Sequence, residues 1–200
     1  MNTIDNIFSE SRNAKDFSTK YSQYIITLIQ NLDHNAVDEV ASLLLDARSN
    51  GKKILFLGNG GSAATASHFA NDLGIGPKQI DNPFKALSLT DNIAIMTAIG
   101  NDTGYDEIFL QQLYLYMEEG DIVVAISASG NSPNLLKAIS YANKKGNTTI
   151  GLLGFDGGNL SEICKSIIHI KTPKGEYGPV EDMHMILDHL LANYLMRIIN

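Results

Sequence analysis

Apolar residues recur at helical spacing through Phe17, Tyr21, Tyr24, Ile25, Leu28 and Leu32, and the pattern resumes at Val37, Val40, Leu44 and Ala47 after an Asp33-His34-Asn35 break. Positions repeating at that period share one helix face, so residues 1–50 are read as two N-terminal helices. From Lys52 onward the texture changes to short apolar runs, KILFLG, KALSLTD, DIVVAISASG, TTIGLLG and SIIHIK, that mostly close on Gly, Ser or Asp and alternate with helical stretches. Strands that are apolar throughout, rather than at every second residue, belong to a parallel sheet covered on both faces. The pattern therefore predicts an α/β fold, a doubly wound, flavodoxin-like sheet of about five strands over residues 51–200. A final helix from about Val180 to Ile199 carries Met183, Leu187, Leu190, Leu191, Tyr194 and Ile198 over much of its circumference, which predicts burial on more than one side.

No repeat, linker or composition shift divides the 200 residues, and 44% hydrophobic content suffices for one core. A net charge of -7 without a Lys/Arg cluster excludes the electrostatic footprint of a nucleic-acid binder. The N-terminus, MNTIDNIFSESRNAKDF, has no basic start and apolar core, and no apolar run approaches membrane-spanning length. The expectation is a cytoplasmic protein with no membrane partner. Cys164 is the only cysteine; it excludes an internal disulfide and a thiolate zinc site, and its ordinary role is a buried, inert thiol.

In a doubly wound sheet ligands bind beyond the carboxyl ends of the strands. The first run ends in GNGGSAATASHF, placing Gly58, Asn59, Gly60, Gly61 and Ser62 at a strand-to-helix turn where backbone N–H groups are free for an anion. No Gly-Lys-Ser/Thr follows, so this is not a nucleotide P-loop. The spacing Gly58, Gly60, Ala63 does fit a dinucleotide fingerprint, but Asp81 and Asp91 are badly positioned for the acidic ribose ligand that such a site requires. The third run ends in SASGNSPNLLKA, with Ser127, Ser129 and Ser132 around Gly130. Three hydroxyls at a helix start form a cradle for a phosphate monoester without any cation; a plain capping turn uses the same residues. Two such loops at successive strand ends favour the cradle.

His68 and Asp72, four apart, share a helix face. Glu181 and His189, eight apart, lie about 80° from one another around an ideal helix and two turns apart along it. Spacing equally allows His184 with Asp188, or Glu181 with His184.

The segments GNGGSAATASHFANDL, AIGNDTGYDEIF, AISASGNSPN and EDMHMILDH resemble, in order and spacing, those of the phosphoheptose isomerases, sugar isomerase (SIS) proteins. The resemblance spans nearly the whole chain. It implies a homotetramer of five-stranded parallel domains with active sites at subunit interfaces, and aldose–ketose isomerisation of sedoheptulose 7-phosphate by an enediol mechanism, feeding heptose biosynthesis for lipopolysaccharide or capsule. Carried over by position, Asn59, Gly60, Gly61, Asn101 and Asp102 contact the sugar, while Ser62, Ser127, Ala128, Ser129 and Ser132 line the phosphate end. Metal ligands fall on His68, Asp72, Glu181 and His189, implying one Zn²⁺ per subunit, with Asp72 and Glu181 also touching substrate. Proton transfer falls to His189 with Asp72 or, because Asp72 is a methylene shorter than the family's glutamate, with Glu181. Three positions depart from the family pattern, Asp72 for Glu, Glu181 for Gln and Ala128 for Thr, and one extra residue lies between Asp91 and Gly100. Other proteins of this fold suggest rival readings: a tetrameric scaffold resembling the DnaA initiator-associating proteins, which lack a histidine matching His189; an isomerase for another sugar phosphate; or a metal-free sugar-phosphate sensor.

Overall fold

The computed structural model describes residues 2–199. Each apolar run becomes a strand: β1 (Lys53–Gly58), β2 (Lys85–Ser88), β3 (Ile122–Ser127), β4 (Thr148–Leu153) and β5 (Ser166–His169). They form one parallel sheet in the order β2-β1-β3-β4-β5. Successive side chains of a strand point to opposite faces, and both faces are covered. Ile54 and Phe56 of β1, with Ile122, Val124 and Ile126 of β3, enter one apolar cluster. Leu55, Leu57, Val123 and Ala125 enter the other.

Three helices, not two, precede the sheet: α1 (Thr3–Ser9), α2 (Ala14–Gln30) and α3 (His34–Ser49). The hydrophobic pattern missed α1 because none of its residues is buried; it is started by a reciprocal cap between Asn2 and Asp5. The break between α2 and α3 is Asp33, whose carboxylate accepts the N–H groups of Asn35 and Ala36. After β1 comes α4 (Gly61–Gly74), after β2 come α5 (Ile93–Asp102) and α6 (Leu110–Tyr116), after β3 comes α7 (Pro133–Lys144), after β4 the short α8 (Leu160–Ile163), and α9 (Tyr177–Ile199) closes the chain.

The connections from the adjacent central strands leave toward opposite faces. Ala66, Phe69 and Leu73 of α4 pack into the cluster shared with α2, α3 and α9, whereas Leu135, Ala138 and Ile139 of α7 pack into the other. The crevice left between the ends of β1 and β3 is where such folds bind ligands. α4 and α9 run side by side in the same direction, Gly61 lying against Glu181 at one end and Gly76 against Met196 at the other. The start of α9 is tied to the N-terminal helices: buried Glu176 accepts the Thr3 N–H and the Tyr24 hydroxyl, and Tyr21 donates to Asp182.

The loops after β3 and β4 touch backbone to backbone at Gly130. Its φ is +64°, and a Cβ there would lie 1.9 Å from the Gly157 carbonyl oxygen. Gly130→Ala combines left-handed strain with an overlap against main chain, so thermal and denaturant unfolding should show a loss of about 2–4 kcal/mol; an unchanged midpoint would contradict the observed loop packing.

Candidate active site

At the switch point the ends of β1 and β3 meet the first turns of α4, α7 and α9 in a cleft of about 150 Å³ lined by Asn59, Ser62, Ser127, Ala128, Ser129, Ser132, Tyr177 and Glu181. Ser127 Oγ accepts the Gly130 N–H at 3.0 Å and Ser129 Oγ the Asn131 N–H at 3.3 Å, which folds the turn around the hydroxyls. Ser132 is the N-cap residue of α7, yet its hydroxyl makes no capping bond, so the plain capping reading does not describe it. Asn59 is clamped: it exchanges two 2.9 Å hydrogen bonds with Asn134 and accepts a third, also 2.9 Å, from the Tyr105 hydroxyl. Gly61 is small because Glu181 needs the room. A Cβ at Gly61 would sit 2.5 Å from the Glu181 carboxylate.

Two turns down the same helices lies a second group. His68, Asp72, Asp188 and His189 bring one ligand atom each within 4.8 Å of one another. The His68 and His189 Nε2 atoms face each other at 3.2 Å, and His68 Nε2 lies 3.5 Å from Asp72 Oδ2 and 3.9 Å from Asp188 Oδ2. Tetrahedral zinc bonds of about 2.0–2.1 Å set ligand atoms roughly 3.3 Å apart. Two facing imidazole nitrogens beside carboxylates therefore fit a divalent cation. Asp188 is fully buried and neither of its oxygens has a hydrogen-bond partner. Burial, and then the Asp72 charge, push its carboxyl up to about 7. His184, one turn earlier, is equally buried, and burial holds it down at about 4, as a neutral ring.

Most of the expected site residues meet at these two places. Glu181 is outside the ligand-distance group and belongs to the cleft. Asn101 and Asp102 are not among the cleft residues; they are exposed at the end of α5, where Asn101 donates to Asp102 at 2.8 Å. Asp188 stood in the sequence only as one of several acceptable helix pairs, and Asn134, Tyr105 and Tyr177 gave no signal there. Asp188 had one usable sign, an acid on the helix face otherwise occupied by Val180, Met183, Leu187, Leu191 and Leu195. Cys164 is half-buried rather than buried, with its thiol raised to about 12 by burial. A wider groove of about 470 Å³ between the α2–α3 turn and β5 holds no comparable array of groups.

The SIS domain family model matches residues 19–154. The phosphoheptose isomerase of Trichlorobacter lovleyi is 38% identical over 185 residues, 90% of this chain and 93% of that protein. This chain belongs to the phosphoheptose isomerases of the SIS family. The Geotalea uraniireducens phosphoheptose isomerase is 45% identical over 154 residues, covering 76% of this chain and 82% of the relative. The solved structure of phosphoheptose isomerase GmhA from Neisseria gonorrhoeae superposes with a TM-score of 0.81 at 29% identity, over 92% of this chain and 98% of that one. Among the described residues, no helix is long and apolar enough to cross a membrane.

Proposed function

We propose that this single SIS domain is a cytoplasmic aldose–ketose isomerase interconverting D-sedoheptulose 7-phosphate and D-glycero-D-manno-heptose 7-phosphate through an enediol, on the route to heptose of lipopolysaccharide or capsule. The observation that carries the reading is the layout along α4 and α9. A hydroxyl-rich cleft lies at their N-terminal ends, and the His/carboxylate group lies seven residues further on, about 10 Å along an α-helix. An extended sugar phosphate likewise keeps its phosphate and its reacting carbons at opposite ends.

Ser62, Ser127, Ser129 and Ser132, with the Ala128 backbone, hold the phosphate, using hydroxyls and helix-start amides in place of cations. Asn59, Gly60, Gly61 and Glu181 meet the sugar hydroxyls. Since Glu181 is separated from His189 by about two helix turns, the pair that can serve neighbouring carbons is Asp72 and His189. The Asp72 carboxylate takes the C1 proton of the ketose while His189 protonates O2; His189 then removes the O1 proton and Asp72, its proton exchanged with solvent in the lifetime of the enediol, protonates C2. His68, Asp72 and His189 are the donors from the expected set that would hold Zn²⁺, which when bound polarises the sugar oxygens and stabilises enediolate charge.

A homotetramer is part of this reading. The cleft of about 150 Å³ is smaller than the roughly 300–1,000 Å³ of complete ligand sites, and the apolar helix α5 has no buried residue, with Ile93 73% exposed. Another copy covering α5 would explain both, and would bring Asn101 and Asp102 to the boundary between copies. The test is incubation with sedoheptulose 7-phosphate in deuterated water. The expected product carries deuterium at C2, and turnover falls on chelation and returns with Zn²⁺. Absence of both exchange and product with metal-loaded protein would refute the isomerase.

A further inference from the structure

We infer that Asp188 is a metal ligand of this site, completing the set His68, Asp72, His189 with a carboxylate that Glu181 is too far away to supply. The inference rests on the reading that the site holds a divalent cation, and it goes beyond the ligand set that the family resemblance implies, which includes Glu181 and omits Asp188.

Three observations carry it. Asp188 is 0% exposed and both its carboxylate oxygens lack a hydrogen-bond partner. A buried carboxylate without partners is strongly unfavourable unless something of opposite charge compensates it, and among the described residues no Lys or Arg forms an ion pair with it; His68 Nε2 lies 3.9 Å away. Its oxygen also lies in the one cluster of His and acidic side chains at ligand distance among the described residues, within 4.8 Å of the donor atoms of His68, Asp72 and His189. Finally, its place on α9 is next to His189 and on the helix face that packs against α4, so the two helices present two donors each. Glu181, seven residues earlier, is about 10 Å away along the axis and has its carboxylate against Gly61. Two imidazoles and two carboxylates keep the donor chemistry expected of a zinc site while leaving Glu181 free for the sugar.

The experiment compares Zn²⁺ affinity of the purified full chain with those of Asp188→Asn and Glu181→Gln, by competition against a chromophoric chelator without substrate, together with thermal unfolding of the metal-free proteins. Loss of a ligand should weaken binding at least as much as loss of an outer partner, on the order of 100-fold. Asp188→Asn is expected to show that loss with a metal-free melting temperature no lower than the parent's, because the uncompensated charge is gone; Glu181→Gln should bind like the parent. Parent-like affinity in Asp188→Asn, no Zn²⁺ binding by the parent, or a markedly lower metal-free melting temperature in Asp188→Asn would each overturn the assignment. The readout is separate from catalysis: zinc binding by the parent that is lost in Asp188→Asn, with no turnover of sedoheptulose 7-phosphate by the zinc-loaded parent, refutes the isomerase alone, whereas parental activity and affinity in that variant refute the Asp188 ligand alone.

Discussion

Replacing His189 with Gln is expected to lower isomerase turnover by at least about 10³-fold, the upper part of the range for a general acid–base group, while the protein remains folded. The imidazole is exposed and faces a second imidazole, with 3.2 Å between the His68 and His189 Nε2 atoms. Its exposure means that the variant removes little packing. Gln keeps much of the shape and a polar end but cannot take up and release a proton at neutral pH. Measured by steady-state rate and by deuterium incorporation, both signals should vanish together. A variant retaining turnover within about tenfold of the parent would remove His189 from the proton relay, since a general acid–base group contributes more than that.

Gly61→Ala should separate activity from stability. Gly61 is the first residue of α4 and has no positive φ, so alanine suits its backbone and by helix propensity favours folding by up to about 1 kcal/mol. The added methyl would nonetheless arrive 2.5 Å from the Glu181 carboxylate, and the carboxylate must swing out of the cleft. Displacement of a positioning group by about 1 Å can cost about 100-fold, so kcat/KM should fall by that factor or more with an unchanged or raised melting temperature. Gly74→Ala on the same helix is the control: its Cβ would meet nothing closer than 3.9 Å, and activity should hold. Equal activity in Gly61→Ala would show that Glu181 does not act from the position against Gly61.

The apolar runs of residues 51–200 were legible because a strand buried on both faces has no choice but to be apolar throughout. The strand ends were legible for the same reason in reverse, since glycines and hydroxyls interrupt the runs where the chain turns toward a helix. Helix α1 escaped the periodic reading, being held by a cap rather than by a buried stripe. The clamp on Asn59 by Asn134 and Tyr105 also escaped it, because those residues are 75 and 46 positions away in the chain.

The sequence by itself determined the parallel α/β architecture, the two glycine- and hydroxyl-rich turns at the strand ends and the shared helix face of His68 and Asp72, all of which follow from periods and turn chemistry acting within a few residues. Which groups of α9 join that pair was decided only by the tertiary structure. Glu181, His184, Asp188 and His189 are nearly equivalent by helical spacing, and it is the register of α9 against α4, set by Gly61 beneath Glu181 and Gly76 against Met196, that carries Asp188 and His189 to the histidine and leaves Glu181 over the cleft. Such a register depends on side-chain volumes fitting between two helices more than a hundred residues apart, and packing of that kind has no periodic signature in the chain.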